Sequence, residues 1–120
     1  MELTNTELDR KCAELIMGWE MEKDWHGEYW TEGNGILARP TIYESYCSHW
    51  HPSESLDQAW QVKQRIQEVH PEYSLEMYHK TGDKCHAKFV ENFYRTRGEG
   101  WDDSPSRAIC LACIQAWEGK

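Results

Sequence analysis

The sequence has no long apolar run and no leader-like start. None of its apolar stretches approaches the roughly 20 residues that a membrane-spanning helix needs. The opening residues MELTNTELDR lack the basic and apolar regions of a signal peptide. We therefore expect a cytoplasmic protein without a membrane partner.

The sequence also lacks the local signatures of common catalytic sites. It has no nucleophile elbow, and the glycines at positions 33 and 35 have neither the spacing nor the following helix of a Walker or dinucleotide motif. The prediction is a protein that is not an enzyme and has no cofactor.

Basic residues are few relative to acidic ones. Lysine and arginine number 13 against 21 aspartates and glutamates, which gives a formal net charge of −8. Duplex nucleic acid is disfavoured as a partner, because nonspecific duplex binding depends on basic contacts to phosphates. A small anionic ligand in one locally basic pocket stays possible.

The five cysteines are an odd number, which fits a disulfide framework poorly. Cys110 and Cys113 fall inside a predicted helix, whereas a redox pair sits at a helix N-terminus, where the dipole lowers the thiol pKa. We expect buried, structural thiols.

Aromatic residues are abundant instead. Seven tryptophans and six tyrosines in 120 residues either fill the core or line a binding surface. The length suits one domain, residues 1–120.

Three helices are predicted from caps and periodicity. Thr4 and Glu7 can form a capping box for the first helix, which ends near Gly18. Ser53 can cap a second helix that ends near His70. Its predicted inner face is Leu56, Ala59, Trp60, Lys63, Ile66 and Val69.

The third helix and the strands follow. Ser104 caps a helix with Pro105 at its first position. Residues 73–78 and 85–89 alternate around turn residues 81–83, which predicts a hairpin, and residues 92–94 can begin a further strand. Short strands are expected at residues 36–37 and 41–43, and a loop at residues 95–103. The order predicts an α+β fold in which helices cover an antiparallel sheet.

Three segments resemble the helical motifs of the phage ABA sandwich domain family. They are LDRKCAELIMGW (residues 8–19), SESLDQAWQVKQRI (53–66) and SPSRAICLACIQAW (104–117). The resemblance implies an α/β/α sandwich with a small antiparallel sheet and three helices, and a phage setting. It carries no catalytic residues to transfer.

The most suggestive ligand-binding stretch runs from residue 93 to residue 101. Arginine forks pair with phosphate, aromatic faces stack on bases, and glycines let backbone amides approach an anion. The alternative is a solvated loop with ordinary salt bridges. The predicted ligand-binding residues are Tyr94, Arg95, Arg97 and Trp101, with Lys88 and Arg39 if the fold brings them together.

A second pattern suggests a metal. Cys47, His49 and His51 would face one way in an extended chain, and zinc takes thiolate and imidazole ligands. No second paired motif lies at a recognised interval, so packed or solvent-facing histidines are the favoured interpretation.

With the phage resemblance, these observations predict a non-catalytic accessory protein in the host cell cytoplasm. It would counter host defence by sequestering a small nucleotide signal or by docking on a defence protein. A zinc-binding module and a structural or assembly protein, which would be a homo-oligomer, are the alternatives.

Overall fold

The computed structural model describes residues 3–25, 27–31, 50–79 and 84–119. Within these ranges the chain forms three helices and two antiparallel sheets, so the expected α+β fold is confirmed. The elements are α1 (Asn5–Lys11) with a π-helical continuation (Cys12–Ile16), β1 (Glu20–Asp24), β2 (Gly27–Thr31), α2 (Leu56–Val69), β3 (Tyr73–His79), β4 (Cys85–Glu91), β5 (Arg95–Asp102) and α3 (Pro105–Glu118).

Side-chain caps begin all three helices. The predicted capping box is confirmed: Thr4 Oγ1 accepts from the amide of Glu7 at 3.2 Å, and Glu7 Oε1 accepts from the amide of Thr4 at 2.8 Å. Ser104 caps α3 as predicted. The predicted cap of the second helix is wrong, because residues 52–54 form a turn and Ser55, not Ser53, caps α2.

The first helix widens before it ends. The amide of Met17 donates to the carbonyl of Cys12 at 3.0 Å, which is a π-helical bond across five residues. Gly18 then adopts a φ of 73° and lets the amide of Trp19 reach back to the carbonyl of Ala13 at 2.9 Å. The predicted end near Gly18 is thus confirmed.

The buried stripe of α2 differs from the predicted one. Ala59, Val62 and Ile66 are fully buried, although Val62 was not expected there. Three expected members are 41–51% exposed: Leu56, Trp60 and Val69.

The larger sheet has the strand order β3-β4-β5. The predicted hairpin is confirmed, with β3 antiparallel to β4 and Leu75 opposite Phe89. The loop predicted for residues 95–103 is wrong, because Arg95–Asp102 is an edge strand paired with β4. The two glycines that indicated a loop have a packing role instead.

Gly98 and Gly100 let α3 lie directly on β5. A Cβ atom on Gly98 would be 2.5 Å from the carbonyl oxygen of Ala112 and 2.5 Å from the amide nitrogen of Ala116. On Gly100 it would be 2.8 Å from the amide nitrogen of Ala112 and still closer to the carbonyl oxygen of Ala108. Helix and strand therefore approach each other at backbone distance.

Four thiols are buried, as expected. Cys12, Cys85, Cys110 and Cys113 are free and buried, and Cys47 lies outside the described residues. Burial raises the pKa of Cys113 well above its ordinary value. A hydrogen bond with Cys110, together with burial, does the same for the pKa of Cys12.

A second, two-stranded sheet precedes α2. β1 and β2 pair in antiparallel fashion from Glu20 opposite Thr31 to Asp24 opposite Gly27. The strands predicted at residues 36–37 and 41–43 lie outside the described residues. In the part of the chain that the structure describes, no helix has the length and apolar character to cross a membrane.

Candidate functional site

The predicted ligand-binding residues are distributed along β4 and β5. Tyr94 lies in the turn just before β5, Arg95 begins the strand and Trp101 lies near its end. Six residues of extended chain, roughly 20 Å, therefore separate Arg95 from Trp101. Lys88 lies in the middle of β4. Arg39 lies outside the described residues. The structure does not bring the described members together into one pocket.

Arg97 is engaged within the protein. Its Nε donates to Oε1 of Glu91 at 2.6 Å, and both side chains are less than a quarter exposed. The guanidinium also lies 5.9 Å from the centroid of the Tyr73 ring. A phosphate would have to displace this ion pair to bind Arg97.

Trp101 belongs to a stack on the face of the larger sheet that points away from α3, because side chains alternate between the two faces of a strand. Its ring lies 3.7 Å from the imidazole of His86, with an angle of 7° between the planes. His86 Nε2 is 2.9 Å from Oε1 of Glu99, and the ring of Tyr78 lies 5.6 Å away. Tyr78, His86 and Trp101 thus form an aromatic stack, and the carboxylate of Glu99 lies at hydrogen-bond distance from its central ring.

A row of charges crosses the same face. Glu76, Lys88 and Glu99 lie opposite one another on the three strands. Lys88 therefore has a carboxylate on each side, and the row carries one net negative charge. This arrangement does not favour a phosphate.

The β4–β5 hairpin tip, which consists of Asn92, Phe93 and Tyr94, is unusual in its backbone. Asn92 and Phe93 have φ values of 52° and 72°, where a hairpin turn commonly has Asn followed by Gly. Phenylalanine in this conformation costs about 1–2 kcal/mol. Phe93 and Tyr94 are 84% and 85% exposed. The strand predicted to begin at residues 92–94 is therefore wrong, and the segment is a turn that presents two aromatic rings.

A cleft of about 250 Å³ lies between α1, the β1–β2 hairpin and the approach to α2. Its residues run from Thr6 to Glu54, up to 48 positions apart in the chain, so no local sequence pattern marks it. Those that bear on its chemistry are Asp9, Arg10, Glu28, Trp30, Trp50, His51 and Glu54.

The two tryptophans of the cleft differ in the hydrogen bonding of their indole N–H groups. Trp50 Nε1 donates to the carbonyl oxygen of Asp9 at 3.0 Å. Trp30 is 2% exposed, and its Nε1 has no hydrogen-bond partner among the described residues. A buried donor left without a partner costs about 1–3 kcal/mol.

Asp9 is the half-buried carboxyl of the cleft. Its Oδ1 accepts from the amide of Ser53 at 2.8 Å. Burial raises the pKa of Asp9, and two opposing effects, hydrogen bonds from Ser53 and the electrostatic interaction with His51, lower it only in part. Carboxyls with raised pKa values in clefts are typical of functional sites.

The proposed metal ligands are only partly within the described chain. His51 lines the cleft, while Cys47 and His49 lie outside the described residues. Within the described ranges, no three side chains from histidine, cysteine, aspartate and glutamate are grouped so that they could hold a metal ion.

These features define a small α+β protein with a polar cleft and an exposed aromatic hairpin tip. The chain belongs to the phage ABA sandwich domain family, whose model matches residues 10–114. The match includes the motif residues 17–19, 59–60 and 108–112. No curated protein and no solved structure matches the chain.

Proposed function

We propose that this chain is a non-catalytic phage accessory protein that acts in the host cytoplasm by docking on a host defence protein. The observation that carries the proposal is the hairpin tip, where Phe93 and Tyr94 are 84% and 85% exposed. Family membership supports the phage setting. Exposed aromatic side chains are typical anchors of protein interfaces.

The backbone at Phe93 supports a role outside the fold. Glycine would adopt the φ of 72° without cost, and the Phe93 ring makes no ring contact with any described residue. The Phe93 ring therefore makes no ring contact that would offset the conformational cost of its positive φ. A strained residue at an exposed position is a reason to propose function there.

Arg95 defines the chemistry of the partner. It is exposed, lies next to Tyr94, and forms no ion pair with any other described residue. The matching partner surface is an apolar pocket that takes Phe93, with a carboxylate at its rim for Arg95.

Sequestration of a small nucleotide signal is the competing form of the proposal. It depends on Arg95 and Trp101, which lie at opposite ends of β5, so docking has the better geometric support. The zinc module and the assembly protein stay predictions, and the zinc module depends on Cys47 and His49.

The test expresses the chain in bacteria that carry individual defence systems and scores phage plaquing. We expect wild type to restore plaquing against at least one system, and Phe93→Gly to abolish this restoration. Trp60→Ala, which removes an aromatic from α2 that is 42% exposed, is the control and should keep it. Retained activity in Phe93→Gly would remove the support for docking through the tip.

Calorimetry against cyclic oligonucleotides and ADP-ribose derivatives separates the two forms. Docking predicts no heat from any of them at tens of micromolar protein. Saturable heat that Arg95→Ala or Trp101→Ala abolishes would instead establish sequestration.

A further inference from the structure

The outer edge of β5 has no neighbouring strand in the part of the chain that the structure describes. The amide of Glu99 points to this edge, because it donates to Oε1 of Gln115 on α3 at 2.6 Å. A side-chain oxygen thus takes the place that the carbonyl of a further strand would occupy. Sheet edges are commonly protected by lysine or proline, and the last four residues of β5 include neither.

A groove of about 560 Å³ lies between this edge and α3. Glu99, Gly100 and Trp101 line it from the strand, and Leu111 and Gln115 are among the residues that line it from the helix. Trp101 is 43% exposed. Proteins often bind an extended peptide by adding it as a strand to such an edge.

The aromatic row on the open face of the sheet indicates one side chain of an added strand. Residues directly opposite each other on neighbouring strands interact through their side chains. Tyr78, His86 and Trp101 are opposite one another on the three strands, and their rings stack. An aromatic residue opposite Trp101 would extend this row by one ring.

The charged row on the same face indicates a second side chain. Glu76, Lys88 and Glu99 alternate in charge across the three strands. The Glu99 side chain is 42% exposed although its Oε1 lies 2.9 Å from His86 Nε2, so a partner can reach it. A basic residue opposite Glu99 would continue the alternation and neutralise the net negative charge of the row.

The residue between these two positions would face α3. Side chains alternate between the faces of a strand, so a residue opposite Gly100 points to the helix side of the sheet. A Cβ atom on Gly100 would be 2.8 Å from the Cβ atom of Leu111, which places an apolar side chain at this point. An apolar residue of the added strand therefore suits this position.

The same two rows disfavour a second copy of this chain. An antiparallel β5 of another copy would extend the aromatic row if Trp101 faced its counterpart. That register places Glu99 opposite Asp103 of the other copy, and like charges directly opposite each other are destabilising. Two chains that each have a net charge of −8 also repel each other.

We propose that the β5 edge binds an extended, antiparallel strand of a partner protein with the residue order aromatic, apolar, basic. The aromatic residue lies opposite Trp101, the apolar residue beside Leu111 and the basic residue opposite Glu99. A carbonyl of this strand replaces Gln115 as the acceptor for the amide of Glu99. This inference does not depend on docking through the hairpin tip.

The first test titrates ¹⁵N-labelled protein with the capped peptide Ser-Tyr-Val-Lys-Ser and follows the assigned backbone amide signals. We expect the peptide at millimolar concentration to shift the Glu99 signal. Three matched peptides carry glutamate in place of lysine, alanine in place of tyrosine, or a methyl group on the lysine amide nitrogen. Each should bind about fivefold more weakly, as expected for the loss of one cross-strand interaction. An unmoved Glu99 signal, or equal affinity for the lysine and glutamate peptides, would overturn the proposal.

Variants provide the second test. Glu99→Lys should reverse the preference, so that the glutamate peptide binds about fivefold more tightly than the lysine peptide. Glu76→Lys makes the same change in the same row on β3, two strands from the edge, and should keep the wild-type preference. An unchanged preference in Glu99→Lys, or a reversed one in Glu76→Lys, would refute the assignment.

Glu99→Pro removes the outward amide and should abolish binding of the lysine peptide. Wild-type affinity in this variant would contradict strand addition, and Glu99→Lys decides the question if Glu99→Pro does not fold. Sedimentation of the wild type at increasing concentration tests the other occupant. A dimer that Glu99→Pro dissociates would assign the edge to a second copy and overturn the proposal.

Discussion

Gly98→Ala should destabilise the protein through a single methyl group. The added Cβ would lie 2.5 Å from backbone atoms of Ala112 and Ala116, where ordinary contacts are 3.4–4 Å. Backbone atoms cannot rotate away as a side chain can, so α3 must move from β5 by roughly 1 Å. A gap of that size loses a quarter to a half of the dispersion energy of each affected contact.

The magnitude follows from two opposing effects. Overpacking of a close interface costs about 1–3 kcal/mol, and more where only backbone can move. Alanine also restricts the unfolded chain, which returns about 0.4–1 kcal/mol. We therefore expect a net loss of about 2–3 kcal/mol in the free energy of unfolding.

Urea unfolding followed by tryptophan fluorescence measures this loss, and the m-value should not change. Gly18→Ala is the matched control, because a Cβ there meets no atom within 4 Å and only the φ of 73° is unfavourable. That control should lose about 1 kcal/mol. If Gly98→Ala loses less than Gly18→Ala, the packing role assigned to Gly98 is wrong.

Three further predictions use the same unfolding assay. Phe93→Gly should raise the free energy of unfolding by about 1 kcal/mol, because glycine adopts positive φ freely; an unchanged or lower value would contradict the strain. Arg107→Met should cost about 2–3 kcal/mol, because Arg107 Nε pairs with Asp102 at 3.0 Å and both side chains are 16% exposed. Arg65→Met, which breaks the exposed ion pair with Glu68, should cost at most about 0.5 kcal/mol. Equal losses in Arg107→Met and Arg65→Met would contradict the larger contribution assigned to the buried pair. Because the folded-state pKa of Asp9 is raised, its carboxyl lowers stability as the pH rises from the unfolded pKa through the folded one. The free energy of unfolding of Asp9→Asn should therefore equal that of wild type at low pH and exceed it at pH 7. A difference between the two proteins that stays constant across this range would contradict the raised pKa.

The parts of the fold that the sequence predicted depend on neighbouring residues. Caps such as Thr4 with Glu7, the proline at position 105 and the alternation of β3 and β4 are local signals, and the structure confirms each of them. β5 was missed because Gly98 and Gly100 are poor strand formers on their own. Their reason for being in a strand is the close approach of α3, which no local pattern contains.

The candidate sites were harder to predict for a related reason. His51 was singled out, but Asp9 and Trp30 were not, since the cleft joins segments that lie about 20 residues apart in the chain. Arg95 and Trp101 of the predicted anion site are six residues apart in the sequence, yet the extended strand β5 separates them by roughly 20 Å. A cluster in sequence becomes a cluster in space only where the chain turns.

The family motifs and the candidate sites overlap only in part, because Asp9, Arg10 and Glu54 of the cleft lie within the motif segments. Gly18 ends the first helix, Ala59 is buried in α2, and Ala108 and Ala112 form the surface of α3 against β5. These residues serve packing and chain direction. Trp30 in the cleft and Phe93 at the tip lie outside the motifs, and the packing of the described core explains neither the unpartnered N–H of the first nor the positive φ of the second. The motifs therefore identify the fold, whereas docking is to be tested at Phe93.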